Sequence, residues 1–529
     1  MKQAKPTGHS RSFPKSVCLL TTTALLAASL LGCSGATGTT TAATTSAATG
    51  EESQSGSTAA SVDLSKSVQL QFYMLGDAPK DMDAVSEKIN ELAQHDLNCT
   101  VKFNFTTWTD WQEKYNTILA SGEPVDLMYT APWASYGVYA KKGAFMALND
   151  LLPAYAPELY AHVSESDWEQ SKTDGNIYTI PSTYKEYFSS GLIYREDLRA
   201  AYNLPVPDTF ENIQAYMQGI KDNLPSQMVT NDQGSYYLAF KEAEQLTDYG
   251  MAYDYYNPSE VSTYWGSDQF IADMTDIKSW ADSGFWSKSI LSDKTDTMND
   301  FYSGKIVITS SGINPQKYIT AKMTIAQNHP DWEVGYVMGP EGIDYAAYTN
   351  HPLNNGYAIP VSSENPERAL MFYEKMVLDQ TYNQLTEYGI EGTDYTVEDG
   401  IYQQVGDGFG YEGMNGWAWR NPDYMLKTES TDQLNEIFDQ LNQVIETHPA
   451  KYSAKITDGF FEDTTDYENE LAAVNNVVSQ YLNPLLYGEV EDVQAATQTF
   501  LEKAEEAGLE KVQSGWTEQW KAYCAQNDY

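Results

Sequence analysis

From Val68 the chain alternates apolar and polar positions, with Val68, Leu70, Phe72 and Met74 on one side and Gln69, Gln71 and Tyr73 on the other. That period of two predicts a strand. Met82, Val85, Ile89 and Leu92 then recur at helical spacing, Val101, Phe103 and Phe105 alternate again, and Trp111, Tyr115, Ile118 and Leu119 form a second helical stripe before a short strand at 125–129. Strands separated by helices of about a dozen residues predict an α/β fold with a mostly parallel sheet covered on both faces. The C-terminal third changes character. Leu434, Ile437, Leu441 and Val444 make an amphipathic helix, with Ser430 and Gln433 spaced as a capping box. Leu471, Val474 and Val478 suggest another helix, and Val493, Ala496, Phe500 and Leu501 a third before Gly508. The chain has no fixed-period repeat.

The pattern is different upstream of residue 67. Lys2, Lys5, Arg11 and Lys15 precede an apolar run that stops at Gly32, and no charge appears between Ser16 and Glu51. The run ends in small residues without a basic stop-transfer flank, so it reads as an export signal over residues 1–32. Leu30-Leu31-Gly32-Cys33 resembles the lipobox of bacterial lipoproteins, which implies cleavage before Cys33 and a lipid such as palmitate on its thiol. Residues 33–66 are mostly Ser, Thr, Ala and Gly, too poor in apolar bulk to offset their ordering entropy, and are expected to form a flexible tether. The protein is thus expected on the extracellular face of the cell membrane.

Composition narrows the function classes. The chain has 529 residues, enough for two to four domains, and 32 Lys and Arg against 74 Asp and Glu give a net charge of −42. Such a deficit of cations excludes phosphate tracking on nucleic acid. Aromatics make up 13% of residues, with 39 Tyr and 12 Trp, which supplies many flat faces for contact. The six His include no helical zinc pair, no phosphate-binding loop or nucleophile elbow is present, and DKTDTMND lacks the Gly and closing Glu of a calcium hand. No metal or cofactor is expected. Cys99 and Cys524 are far apart in sequence, and their pairing is open at this level.

Several phrases along the body resemble the family 1 extracellular solute-binding proteins that serve ABC-type sugar importers. They are YAKKGAFMALNDLL (139–152), DGNIYTIPSTY (174–184) with LIYREDLRAAYNLPVPDTFENI (192–213), FYSGKIVIT (301–309), NNGYAIPVSSENPERALMFYEKMV (354–377), YGIEGTDYTV (388–397) and the tail LEKAEEAGLEKVQSGWTEQW (501–520). The resemblance implies a two-lobed fold like that of periplasmic binding proteins, with a hinge, a ligand cleft between lobes and a helical C-terminal part. It places lobe one at 67–187 plus 356–410 and lobe two at 188–355 plus 411–529. It also implies a monomeric receptor, not an enzyme, that hands a carbohydrate, chiefly an oligosaccharide, to ABC permease subunits.

Ligands of open α/β sheets sit beyond the C-terminal ends of strands. That rule points to Tyr73, Trp108, Tyr129 and Trp133; Asp126, inside VDLMY, is a further candidate that could equally fix its loop by accepting backbone N–H bonds. Trp111 belongs to the apolar stripe and is expected in the core. A sugar offers apolar C–H faces ringed by hydroxyls, so aromatic platforms beside carboxylates and amides suit it. The family phrases add Tyr184, Glu186, Tyr187 and Asn314, and the clusters YDYYNPSEVSTYW and GWAWRNPDY add Tyr255, Tyr256 and Trp265, and Trp417, Trp419 and Arg420. Two alternatives stay open: an exported glycoside hydrolase, whose paired carboxylates are set by distance in space rather than in sequence, and a peptide-binding receptor.

Overall fold

The alternating pattern at the start of the body folds as strand β1 (Val68–Leu75), whose Leu70, Phe72 and Met74 are fully buried. The structure, a computed structural model, describes residues 62–529 apart from 109, 174, 189–190, 242–244, 294–295 and 340–346. The export segment, Cys33 and nearly all of the tether lie outside the described residues. Helix α1 (Met82–Leu97) buries Met82, Val85, Ile89, Ala93 and Leu97, a stripe at the spacing the sequence shows. Strand β2 (Cys99–Thr106), helix α2 (Trp111–Ser121), strand β3 (Leu127–Thr130) and the short helix α3 (Tyr136–Lys141) follow. After strand β4 (Thr179–Pro181) the chain builds a second unit on β5 (Gly191–Arg195), β6 (Ile308–Ile313), helix α4 (Pro315–Asn328) and β7 (Val334–Val337). It returns through β8 (Gly356–Ala358), α5 (Pro366–Leu378) and α6 (Gln380–Tyr388). Helices α7 (Thr431–Ile445), α8 (Glu468–Val477), α9 (Val493–Glu506) and α10 (Leu509–Gln526) then dominate the C-terminal part.

The first sheet has the order β2-β1-β3-β8-β4. Its first three strands are parallel, with Phe72 opposite both Phe103 and Leu127, while β8 runs antiparallel to β3 and β4. The reversal follows from connectivity: β8 enters directly from the second unit without a covering helix to turn it. The second sheet, β6-β5-β7, is antiparallel, and all five residues of β5 are buried. Each sheet carries its own core. Leu70, Phe72, Val85, Tyr357 and Phe372 lie in the first, and Leu192, Ile213, Trp280, Ile308 and Phe500 in the second. Fully burying one such side chain is worth about 1.5–3 kcal/mol, so two separate cores make two lobes.

The chain crosses between lobes after β4, again between Thr349 and β8, and a third time just before α7. The third crossing is later than the sequence reading has it. Phe409, Met414, Ala418 and Trp419 sit in the first core, and Asn421 and Tyr424 bond to the carbonyls of Val377 and Leu378 at the end of α5. The residues from Tyr411 to about Lys427 therefore pack with lobe one. The loop shows no apolar period, so its side could not be read from pattern. The capping box is also absent: the Ser430 side chain caps nothing, and Gln433 instead donates to the Tyr318 hydroxyl of α4 at 3.0 Å. Cys99 and Cys524 are free and buried in different cores. Among the described residues no helix is long and apolar enough to cross a membrane, and no group of three or more His, Cys, Asp or Glu is arranged to hold a metal.

Candidate functional site

The C-terminal ends of β1, β2 and β3 meet at one edge of the first sheet, and an aromatic platform stands there. Trp108 follows β2 and Trp133 lies in the turn after β3; their rings stack at 6.1 Å with 28° between planes. Both are large apolar side chains left open, at 43% and 46% exposure. Trp417 comes from the late loop and tilts against Trp108 at 6.0 Å, with Tyr129 beneath, 6.0 Å from Trp133 and 6.2 Å from Trp417. The loop is pinned where it passes: the Asn415 amide donates to the Leu75 carbonyl and Ser182 Oγ donates to the Trp417 carbonyl, each at 3.0 Å. A side chain at Gly76 would collide with Asn415, and its φ of 109° is one an L-residue rarely adopts, so glycine is required at this turn.

Below the platform a polar chain leads into a buried charge cluster. Tyr129 Oη donates to Asn355 Oδ1 at 2.5 Å, and Asn355 Nδ2 donates to Glu186 Oε2 at 2.9 Å, where Asn350 also donates at 3.1 Å. Glu186 lies 3.5 Å from Arg420 Nη1, Glu412 lies 2.7 Å from Nη2 and Glu387 4.0 Å from Nε. The Tyr184 ring faces the guanidinium at 4.8 Å. Burial works against the charge on Arg420, yet Glu412 and Glu387 hold it protonated. Burial pushes Glu186 up and Glu387 up to about 7, Arg420 opposing and Glu412 reinforcing the rise.

The second lobe faces this cluster with the end of β6 and the start of α4. Asn314 caps α4 by accepting from the Lys317 amide at 2.8 Å. The buried Gln316 amide faces the Tyr184 hydroxyl as a hydrogen-bond partner, which works against the rise that burial imposes on that phenol. The half-buried Lys317 ammonium is pushed down by burial, with Glu186 and Glu412 acting against the fall. Beside the same strand end Asp232 accepts from the Ser310 amide at 2.7 Å and from Tyr237 Oη at 3.0 Å; burial raises it to about 6. Tyr236 next to it is 46% exposed and Tyr487 lies close by.

The structure thus brings Trp108, Tyr129, Trp133, Tyr184, Glu186, Asn314, Trp417 and Arg420 around one region between the lobes. It takes other candidates elsewhere. Trp419 is wholly buried, with Nε1 donating to Thr386 Oγ1 at 2.8 Å, and Asp126 accepts from the Gln71 amide and the Ser363 hydroxyl, the loop-fixing alternative. Tyr187 stacks on Phe438 at 4.6 Å. Tyr255 is buried with its hydroxyl on the Tyr452 carbonyl, and Trp265 packs edge-on to Phe500 at 5.0 Å. Half-buried Tyr73 points its hydroxyl at Glu123, before β3 rather than after it, at 3.4 Å. Each is claimed by a partner distant in sequence. The sequence reading missed Tyr236, Gln316, Lys317, Asn355, Glu412 and Tyr487; of these only Asn355 stood in one of the phrases that carry the family resemblance.

Residues 77–382, more than half of the chain, match the model of the bacterial extracellular solute-binding protein family. The chain is a bacterial extracellular solute-binding protein. Its residues 456–525 match a second model, a domain of unknown function. A carbohydrate ABC transporter substrate-binding protein of Streptococcus pneumoniae serotype 4 is 20% identical over 484 residues, 89% of this chain and 94% of the relative. The N-glycan transport solute-binding protein NgtS from Streptococcus pneumoniae, in complex with Man1GlcNAc, superposes with a TM-score of 0.71 at 17% identity, covering 86% of this chain and 99% of that one. The alginate-binding protein AlgQ2 superposes with a TM-score of 0.61 at 16% identity, covering 86% and 98%. These similarities agree on a two-lobed fold, and the family works outside the cell as binders rather than enzymes.

The buried carboxyls of this solute-binding protein set a pH dependence. A carboxyl raised on folding contributes stability that is fully present below its unfolded value, 4.5 for Glu387, and is lost as pH rises through the folded value, about 7. Asp232 acts in the same sense through about 6. The unfolding temperature followed by calorimetry should therefore fall from pH of about 5 to about 8, and Glu387→Gln should flatten the upper part of that fall. Equal slopes for both proteins would remove Glu387 as the cause.

Proposed function

We propose that this protein captures an uncharged oligosaccharide between its lobes and delivers it to an ABC importer. The observation that carries the reading is the open platform of Trp108, Trp133 and Trp417. Soluble proteins seldom leave three indoles gathered at a cleft edge without a ligand to cover them, and pyranose C–H faces match flat rings. The Gln316 amide beside the Tyr184 hydroxyl supplies the kind of donor and acceptor that a sugar hydroxyl needs. Tyr236, Asp232 and Tyr487 offer a similar mixture on the facing lobe. The relatives named above include proteins described as binding N-glycans and alginate, which favours a carbohydrate here. The net charge of −42 disfavours anionic sugars through long-range repulsion.

In this reading Cys33 carries the lipid, residues 34–66 space the body from the membrane, and ABC permease subunits receive the open, unloading form. Lobe one comprises about 67–187 plus 356–427, and lobe two the remainder of the body. The test is thermal unfolding across a panel of mannose- and N-acetylglucosamine-containing oligosaccharides, with product detection in the same samples. Ligand at about 100 times Kd adds roughly 2.7 kcal/mol to stability. A shift with sugar intact supports capture. Cleavage products would revive the hydrolase alternative, and silence with sugars but a shift with peptides would replace the ligand class.

A further inference from the structure

The C-terminal segment 456–525, which matches a domain of unknown function, begins with a stretch that touches both lobes. Phe460 is extended, with φ −89° and ψ 117°, so neighbouring side chains point to opposite sides. Phe460 packs into the C-terminal helix α10, its ring 5.9 Å from Trp516, 5.2 Å from Trp520 and 5.6 Å from Tyr523. Glu462, two residues on, accepts from Tyr249 Oη at 2.9 Å and from Tyr467 Oη at 2.5 Å on that same side. Helix α10 continues into the second core through Leu509 and Val512. Phe461, between them, goes the other way: it packs on the first core and meets Tyr136 edge-on at 5.7 Å with 78° between planes.

The socket for Phe461 is shaped by Gly137. A Cβ there would run into the Phe461 ring, and because Gly137 sits in helix α3 without a left-handed φ, close approach is the reason for a glycine in this helix. The turn Pro132–Ala134 before α3 lies against Ile456–Gly459 and carries Trp133. Lys142 also meets Glu468 across this junction at 2.8 Å, but the pair is more than half exposed on both sides, so its contribution is small beside the aromatic seat.

We propose that Phe461 is a positioning residue for ligand capture: it clips the start of the C-terminal helical segment onto the first lobe beside Trp133 and so holds the two lobes in the arrangement that opposes the aromatic platform to Gln316 and Tyr236. Three crossings among the described residues join the lobes, and the Phe461 seat adds a non-covalent contact beside the second of them, where Pro352–Asn354 touches both Pro132–Ala134 and Ile456–Gly459, so rotation about the hinge bears directly on it. The clip thus biases the unliganded protein toward the arrangement described here, and a ligand that binds this arrangement spends less of its binding free energy on closure. The role of the unknown domain is then to set the resting angle of the lobes. What is captured rests on the function proposed above; the clip itself does not.

The test compares wild type with Phe461→Ala, Gly137→Ala and the double variant, using small-angle scattering and amide exchange on the purified protein without sugar, then sugar association and dissociation rates. Phe461→Ala should increase the radius of gyration, speed exchange across residues 132–141 and weaken sugar binding roughly 2- to 10-fold, the range of one aromatic pair. Gly137→Ala places a better helix former in α3, so its fold is secured locally while its methyl expels the ring; it should reproduce the same three changes. The double variant should be no worse than Phe461→Ala alone, since the methyl then meets no ring. Phe461→Leu should restore most of the wild-type behaviour. Unchanged scattering and exchange in folded Phe461→Ala and Gly137→Ala would overturn the clip, whatever sugar is used. Changed scattering with no sugar bound by any variant would keep the clip and refute the carbohydrate.

Discussion

Replacing Trp108 and Trp133 together by alanine should weaken oligosaccharide binding by roughly 100-fold, while the unliganded unfolding temperature stays within about 2 °C of wild type. The asymmetry follows from where the indoles stand. They are 43% and 46% exposed, so little packing is lost from the free protein, whereas a bound pyranose would lose both stacking faces. Each single variant should lose less than half of the combined free energy, because the rings stack on one another at 6.1 Å and the survivor can reorient. Titration calorimetry against the best sugar of the panel reads the loss directly. Undiminished affinity in the double variant would move the ligand away from the first sheet's edge.

Arg420→Met should have the largest effect on stability, about 3–5 kcal/mol, because it strands Glu186, Glu387 and Glu412 around a neutral side chain. In a chain of this length that corresponds to a fall in unfolding temperature of roughly 5–10 °C. Adding Glu387→Gln should recover part of it, since one of the stranded carboxylates is then neutral at any pH. Arg420 is 1% exposed, so it holds the cluster that Tyr129 and Asn355 rest on rather than reaching into solvent for a ligand. An Arg420→Met protein with wild-type unfolding would show that the cluster contributes nothing to the fold. Sugar affinity measured beside stability separates this structural role from contact.

How much could be read from the chain depended on how far each side chain's partner lay from it. The strands and helices of the first lobe were legible because period and spacing are local, and β1, α1, β2, α2 and β3 fall where the pattern puts them. Trp108 and Trp133 were legible as strand-end residues for the same reason. Trp417 and Trp419 are two residues apart in one loop, yet one joins the platform while the other is swallowed by a core whose Thr386 and Phe72 come from distant segments. Nothing in GWAWRNP distinguishes them. Tyr236 and Tyr237 pose the same problem: the first is open, and the second is buried on Asp232 because a strand end nearly eighty residues later supplies the Thr309 hydroxyl and the Ser310 amide that Asp232 accepts from. The third lobe crossing was misplaced for want of any periodicity between 405 and 427.

The two free thiols bear on how the molecule survives outside a cell and how it can be studied. Cys99 and Cys524 are wholly buried, and burial pushes each thiol up to about 11, so the reactive thiolate is scarce at neutral pH. An oxidising environment therefore finds neither sulfur available, and the body needs no disulfide partner for them. A maleimide dye added to the folded protein would leave both untouched. Cysteines engineered at exposed positions on the two lobes would then take fluorophores selectively, turning the angle between the lobes into a distance that can be followed one molecule at a time.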